Sequence, residues 1–145
     1  MVLVLIGLIG HLVSTEPAQA QAPLAARPAD LPHGYLGMTR CVAGRPVSTI
    51  DPYLDSISRV ETEAHEAVHR RQLATDCVAR LRVIEHDPQL RLAYEVEGYC
   101  GGIVALGLDP MREGAAVERL RQALYDLLLD VSFEAIDGAL DRSCP

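Results

Sequence analysis

The chain has 145 residues, 13 basic and 20 acidic side chains, and a formal net charge of −7. This length suits a single domain that can bury a core without a partner. The acidic balance argues against a nucleic-acid partner, because binding to phosphates needs a basic face. A hydrophobic share of 49% argues against a disordered chain.

The amino-terminal segment has the features of an export signal. Residues 1–13 are apolar except for His11, and small and polar residues follow as far as Ala18-Gln19-Ala20. This pattern is typical of a signal peptide that is cleaved after Ala20. A short membrane anchor is the alternative, but a helix that crosses a bilayer needs about 20 apolar residues. We therefore predict a signal peptide over residues 1–20, a periplasmic or extracellular location, and no stable membrane insertion after cleavage.

A flexible linker and a single folded domain are predicted after the cleavage site. Residues 21–32 are rich in alanine and proline and show neither a helical nor a strand period. The folded domain then spans residues 33–145. All four cysteines lie within it, at Cys41, Cys77, Cys100 and Cys144. An even number in a small exported domain predicts two disulfides, and three pairings remain open. Metal binding by these thiols is the alternative, which the lack of a Cys-x-x-Cys spacing disfavours.

The elements are predicted in chain order from turn signals and helix formers. Strand-forming residues on either side of an Ala-Gly-Arg-Pro turn predict a β-hairpin over residues 34–51. Residues 58–86 contain neither proline nor glycine, which predicts one long helix, with Ser56 or Ser58 as its cap. Asp87-Pro88 is a helix-start signal, and it predicts a second helix as far as about residue 106.

Two further helices complete the predicted fold. Asp109-Pro110 repeats the helix-start signal and predicts a third helix to about residue 129. Its apolar stripe comprises Val117, Leu120, Leu124, Leu127 and Leu128. Ser132 is the predicted cap of a short fourth helix over residues 133–141. The predicted fold class is mainly α (α+β), with the hairpin at the front.

Residues 65–69, His-Glu-Ala-Val-His, are the most informative part of the sequence. The helical spacing of four places His65 and His69 on one face, where two ring nitrogens can bind one metal ion. Glu66 points about a third of a turn away, where it can accept a proton from a metal-bound water. An exposed helix with incidental histidines is the alternative. His33 and His86 are not expected to be ligands, because His33 borders the linker and His86 lies near a helix end.

A zinc site needs a third protein ligand, and the second predicted helix offers two carboxylates. Glu95 borders the apolar face of this helix, whereas Glu97 lies further round towards solvent. A carboxylate at an apolar border needs a cation, because burial of an unpaired charge is costly. We therefore favour Glu95 over Glu97 as the third ligand, and a solvated helix face is the alternative for both.

A helical His-Glu-x-x-His followed some tens of residues later by a helical glutamate resembles the gluzincin zinc metallopeptidases. The resemblance covers residues 62–100, under a third of the chain. It implies a small zincin-like helical domain in which Zn²⁺ is held by His65, His69 and Glu95. Where the family carries an aspartate that supports a zinc-binding histidine, this chain has Tyr99. That support is either absent or comes from the phenol or from another carboxylate such as Asp76.

The resemblance implies an exported peptidase that acts on a peptide or protein substrate. Glu66 would be the general base, and Tyr99 or Tyr94 would donate a hydrogen bond to the developing oxyanion. Two other functions are compatible with the sequence. One is a catalytically inactive zincin-like domain that binds zinc for stability or for a partner, and the other is a disulfide-linked helical binding protein without metal.

Overall fold

The computed structural model describes residues 28, 31–108 and 114–143. The predicted signal peptide, most of the linker, the Asp109-Pro110 helix start and Cys144 lie outside these residues. The fold is mainly helical with a small antiparallel hairpin, as predicted. Its elements are β1 (Gly37–Val42), β2 (Arg45–Ile50), α1 (Ser56–Gln72), α2 (Cys77–His86), α3 (Pro88–Ala105), α4 (Gly114–Leu127) and α5 (Phe133–Ser143). None of the described helices combines the length and the apolar character needed to cross a bilayer.

The hairpin turns through two residues. Ala43 and Gly44 both adopt positive φ, 49° and 78°, which is the backbone of a tight two-residue hairpin turn. The pairing is antiparallel, with Val42 opposite Arg45 at the turn and Gly37 opposite Ile50 at the open end. The predicted hairpin is confirmed, and the turn is shorter than the four residues predicted.

The prediction of one helix over residues 58–86 is wrong, because the chain breaks between α1 and α2. Asp76 adopts a left-handed conformation, φ 52° and ψ 62°, and its side chain accepts a hydrogen bond from the backbone N–H of Ala79. An aspartate tolerates this conformation and caps a helix well, so it starts α2 here without help from proline or glycine. The cap of α1 also differs, since Asp55 accepts hydrogen bonds from Ile57 and Ser58.

A disulfide joins the hairpin to α2. The sulfur atoms of Cys41 in β1 and Cys77 at the start of α2 are 2.02 Å apart. Cys100 is also disulfide-bonded, and no described cysteine is free. Of the three pairings that the sequence left open, the structure selects the one that contains Cys41–Cys77.

Helix α3 starts where predicted and forms the centre of the fold. Asp87 accepts hydrogen bonds from Gln89 and Leu90, and Pro88 occupies the first turn. One face of α3 packs against α1. The opposite face joins a core with α4 and α5, made of Leu92, Val96, Cys100, Ile103, Leu120, Leu124, Leu128, Val131, Ile136, Ala139 and Leu140.

Three of the five residues in the apolar stripe predicted for the third helix are buried. Leu120, Leu124 and Leu128 of the predicted stripe are buried, whereas Leu127 is 38% exposed. The α5 cap is confirmed, because the hydroxyl of Ser132 accepts a hydrogen bond from the N–H of Ala135 at 3.3 Å.

Candidate metal centre

The two histidines of the motif lie side by side on the face of α1 that packs against α3. Their Nε2 atoms are 2.7 Å apart and their ring centroids 4.4 Å apart. This proximity follows from the helical spacing of four, which puts side chains one turn apart on the same face. Both rings are largely buried, with exposed side-chain fractions of 12% for His65 and 5% for His69.

Glu95 of α3 completes the group. Its Oε2 lies 3.5 Å from His65 Nε2 and 3.6 Å from His69 Nε2. The three ligand atoms lie within 4.8 Å of one another and could hold a metal ion. Glu97, the alternative left by the sequence, is exposed and does not join this group.

A glycine lets α3 approach the histidines this closely. A Cβ at Gly98 would lie 2.9 Å from His69 Cε1 and 3.0 Å from His65 Nε2. Ordinary carbon contacts are longer than this, so with any other residue here either the helices or the imidazole rings would have to move. Gly98 lies three residues after Glu95, hence on the same face of α3. The glycine that weakens this helix in sequence terms therefore admits the imidazole rings to the carboxylate.

The charges of the three side chains stabilise one another. Burial alone would raise the pKa of Glu95, but hydrogen bonds from His65 and His69 and their charges outweigh burial and lower it to about 2. Burial lowers the pKa of His69, but the hydrogen bond and charge of Glu95 outweigh it and raise that pKa above its usual value. The carboxylate is therefore ionised at neutral pH, as a metal ligand must be.

Gln72 orients His69 from behind. The Gln72 Nε2 donates to Glu97 Oε2 at 2.8 Å and to the Tyr94 backbone oxygen at 3.3 Å. Its Oε1 therefore faces His69 Nδ1, 2.8 Å away. Because an amide oxygen only accepts, Nδ1 carries the proton, and the Nε2 of a neutral ring keeps its lone pair for a metal. The Tyr94 ring stacks on the imidazole with 3.9 Å between centroids and holds it in this plane.

The sequence did not identify this support. The predicted candidates were Tyr99 and Asp76, and Asp76 instead caps α2. Gln72 lies three residues after His69 on the same helix, so its helical spacing was the signal that could have found it. Glu97, predicted as a possible ligand, acts one step further out through Gln72.

Glu66 lies under the hairpin rather than among the three ligand atoms. It is 4% exposed, and its Oε2 accepts a hydrogen bond of 2.6 Å from the Thr39 hydroxyl in β1. Burial lowers the pKa of His69, and the charge of Glu66 is the smallest of the influences that raise it, after Glu95 and Gln72. Thr39 was not singled out in the sequence, because the contact spans 27 residues and has no local pattern.

Tyr99 lies at the edge of the centre. Its ring meets the His65 ring edge-on, with centroids 4.5 Å apart and an interplanar angle of 79°. Burial, followed by the charges of Glu95 and neighbouring acids, raises the pKa of Tyr99, so the phenol keeps its proton at neutral pH. His33 is exposed, and His86 Nδ1 donates to the Arg82 backbone oxygen at 2.7 Å, so neither takes part.

Comparisons with known proteins identify no relative. No protein-family model, no curated protein and no solved structure matches the chain. The interpretation of the site therefore depends on its own geometry and chemistry.

Proposed function

We propose that this protein is an exported zinc-dependent metallopeptidase, with His65, His69 and Glu95 as the zinc ligands. The observation that supports the proposal is the convergence of two imidazole nitrogens and one carboxylate oxygen within 4.8 Å. Three protein ligands that leave a fourth position open are the usual donor set of a catalytic zinc site. The Cys41–Cys77 disulfide is in keeping with an oxidising compartment outside the cytosol.

The distances between the ligand atoms suit a zinc ion. In a tetrahedral site with bonds of about 2.0–2.1 Å, neighbouring ligand atoms lie about 3.3 Å apart. Glu95 Oε2 lies 3.5 Å and 3.6 Å from the two Nε2 atoms, close to that value. The Nε2 atoms themselves are 2.7 Å apart, so they must separate by about 0.6 Å to bind zinc. A small rotation of the His65 ring can supply this, because the His69 ring is held by Tyr94 and Gln72.

In the proposed mechanism, each side chain around the site has a different role in hydrolysis. A bound zinc ion would supply an acidic water and polarise the substrate carbonyl. Glu66 would be the general base, which would take up a proton from such a water and deliver it to the leaving amine. The Tyr99 phenol would donate a hydrogen bond to the oxyanion, and its edge-on ring contact with His65 supports this role. Gln72 holds His69 in the tautomer that binds metal.

Three conservative variants test the ligand set and the base. Glu95→Gln should lose zinc, measured as metal content after dialysis and by calorimetric titration, whereas Glu97→Gln should retain it. Glu66→Gln should retain zinc and lose hydrolysis of a peptide library, because the amide cannot accept the proton. If the wild type and Glu66→Gln process the library identically, the peptidase proposal fails. If Glu95→Gln binds zinc as tightly as the wild type, the ligand assignment fails.

The burial of Glu66 favours one alternative, a zinc-binding domain without hydrolytic activity. Its carboxylate lies below Gly37 and Thr39 of β1, and a Cβ at Gly37 would lie 3.0 Å from Glu66 Oε1. A base covered in this way needs the hairpin to leave room for a substrate. The domain would then bind zinc with the affinity of the wild type in every Glu66 variant and cleave no member of the library.

A further inference from the structure

A series of hydrogen bonds, called the relay below, connects the surface of the protein to the buried carboxylate of Glu66. The Thr39 hydroxyl lies 2.6 Å from Glu66 Oε2 and 2.7 Å from the Ser48 hydroxyl. Ser48 in turn lies 2.7 Å from Arg70 Nη1. Thr39 is buried with 8% exposure, whereas Arg70 is exposed.

The chemistry of the four groups gives the relay one direction. The guanidinium of Arg70 only donates, so the Ser48 oxygen accepts at that end. At the other end the Thr39 hydroxyl donates to the Oε2 of Glu66. Ser48 must then donate to Thr39, which completes an ordered chain from cation to anion. Hydrogen bonds arranged head to tail in this way polarise and strengthen one another.

The fold brings the members together by two local rules. Thr39 and Ser48 are directly opposite in the register of the hairpin, so their side chains lie on the same face. Glu66 and Arg70 are four residues apart on α1 and lie one turn apart on the face that meets the hairpin. The relay therefore starts at Glu66 in α1, passes through one residue of each strand, and ends at Arg70, which is also in α1.

We infer that Thr39 is a positioning residue for Glu66, held in place by Ser48 and Arg70. This inference depends on the proposed function, because the relay would then orient Glu66 as the general base. A carboxylate can rotate about its last bonds, and a single misplacement of about 1 Å can cost a reaction about 100-fold. The hydroxyl of Thr39 fixes Oε2 at the hairpin and directs Oε1 along Gly37, so that the carboxylate keeps one orientation.

The test compares Thr39→Val, which keeps the shape and removes the donor, with Thr39→Ser, which keeps the donor. In the zinc-loaded protein we expect Thr39→Val to lower kcat on the order of 10- to 100-fold with little change in KM and zinc affinity. Thr39→Ser should restore most of the rate. Thr62→Val is the matched control. Thr62 is as buried as Thr39, at 8%, lies on the face of α1 that meets the hairpin, and is not part of the relay. A loss of rate in Thr62→Val equal to that in Thr39→Val would overturn the inference.

A double-mutant cycle tests the contact without relying on activity. The unfolding equilibrium constants of Thr39→Val, Glu66→Gln and the double variant are measured in urea. If Thr39 holds Glu66, the effects should be non-additive by a factor on the order of ten, whereas additive effects would overturn the inference. If the wild type hydrolyses no peptide, the proposed function fails, and this cycle alone decides whether the relay holds the carboxylate. Normal kcat in Thr39→Val of an active enzyme would also overturn it.

Discussion

Replacing Gly98 by alanine tests whether the close approach of α3 creates the metal centre. The added Cβ would lie 2.9 Å from His69 Cε1 and 3.0 Å from His65 Nε2. Carbon atoms in contact lie about 3.5–4.0 Å apart, so either α3 or the rings must move by about 0.5–1 Å. The His69 ring has little freedom to move, because it stacks on Tyr94 and is hydrogen-bonded to Gln72. The displacement therefore falls mainly on α3.

The same displacement separates the third ligand from the other two. Glu95 Oε2 starts 3.5 Å from His65 Nε2, and retreat of α3 takes it beyond about 4 Å, where a tetrahedral zinc site needs about 3.3 Å. We expect the Kd for zinc to rise at least about 100-fold, since loss of even an outer partner costs about 10- to 100-fold. The free energy of unfolding of the metal-free protein should change less than the zinc affinity. Overpacking costs about 1–3 kcal/mol, but alanine in a helix regains about 1 kcal/mol relative to glycine.

Gly138→Ala in α5 is the matched control. A Cβ there would meet only the flexible end of Arg142, 3.1 Å from Nη1. This variant should keep the zinc affinity of the wild type and gain up to about 1 kcal/mol in the free energy of unfolding. Competition titration with a chelator gives the zinc affinity, and urea unfolding without metal gives the stability. Zinc binding by Gly98→Ala as tight as that of the wild type would refute the reasoning.

The metal centre and the disulfide lead to other expected outcomes. Gln72→Ala should raise the Kd for zinc about 10- to 100-fold in calorimetric titration, because His69 loses the acceptor that fixes its tautomer. The pKa of His69 is raised above 6.5 despite burial, chiefly by Glu95, and a proton on Nε2 competes with the metal. Zinc affinity should therefore be full above that pKa and fall as the pH is lowered through it, in titrations between about pH 5 and 8. In the double variant Cys41→Ala/Cys77→Ala, the free energy of unfolding measured in urea should fall by about 4 kcal/mol, because the disulfide closes a loop with a sequence separation of 36.

The sequence predicted correctly the elements whose ends carry clear capping or helix-start residues. The Asp87-Pro88 start of α3 and the Ser132 cap of α5 were found because each combines a capping side chain with a periodic apolar run. The break between α1 and α2 was missed because the prediction relied on proline and glycine as helix breakers, and residues 73–77 contain neither. There the Asp76 side chain competes with the helix for backbone hydrogen bonds, an outcome that propensities alone do not decide.

The site was predictable only where it follows a helical period. The spacing of His65 and His69 and the border position of Glu95 identified the three side chains that the structure brings together. The contact of Thr39 with Glu66 joins residues 27 apart and depends on where the hairpin docks, so no periodicity announces it. The role of Gly98 was also missed, since its cost to the helix is local, whereas the close approach of the histidines that it allows arises only when α3 packs against α1.

The geometry of the centre depends on α3 more than on any other element, because its two faces have different tasks. Leu92, Val96 and Ile103 are buried in the core with α4 and α5. Glu95 and Gly98 lie on the face that meets α1. Val96 is fully buried directly beside Glu95 in sequence, so the helix cannot rotate to relieve one face without disturbing the other. The core shared with α4 and α5 therefore fixes the rotation of α3, and with it the position of Glu95 beside the two histidines of α1.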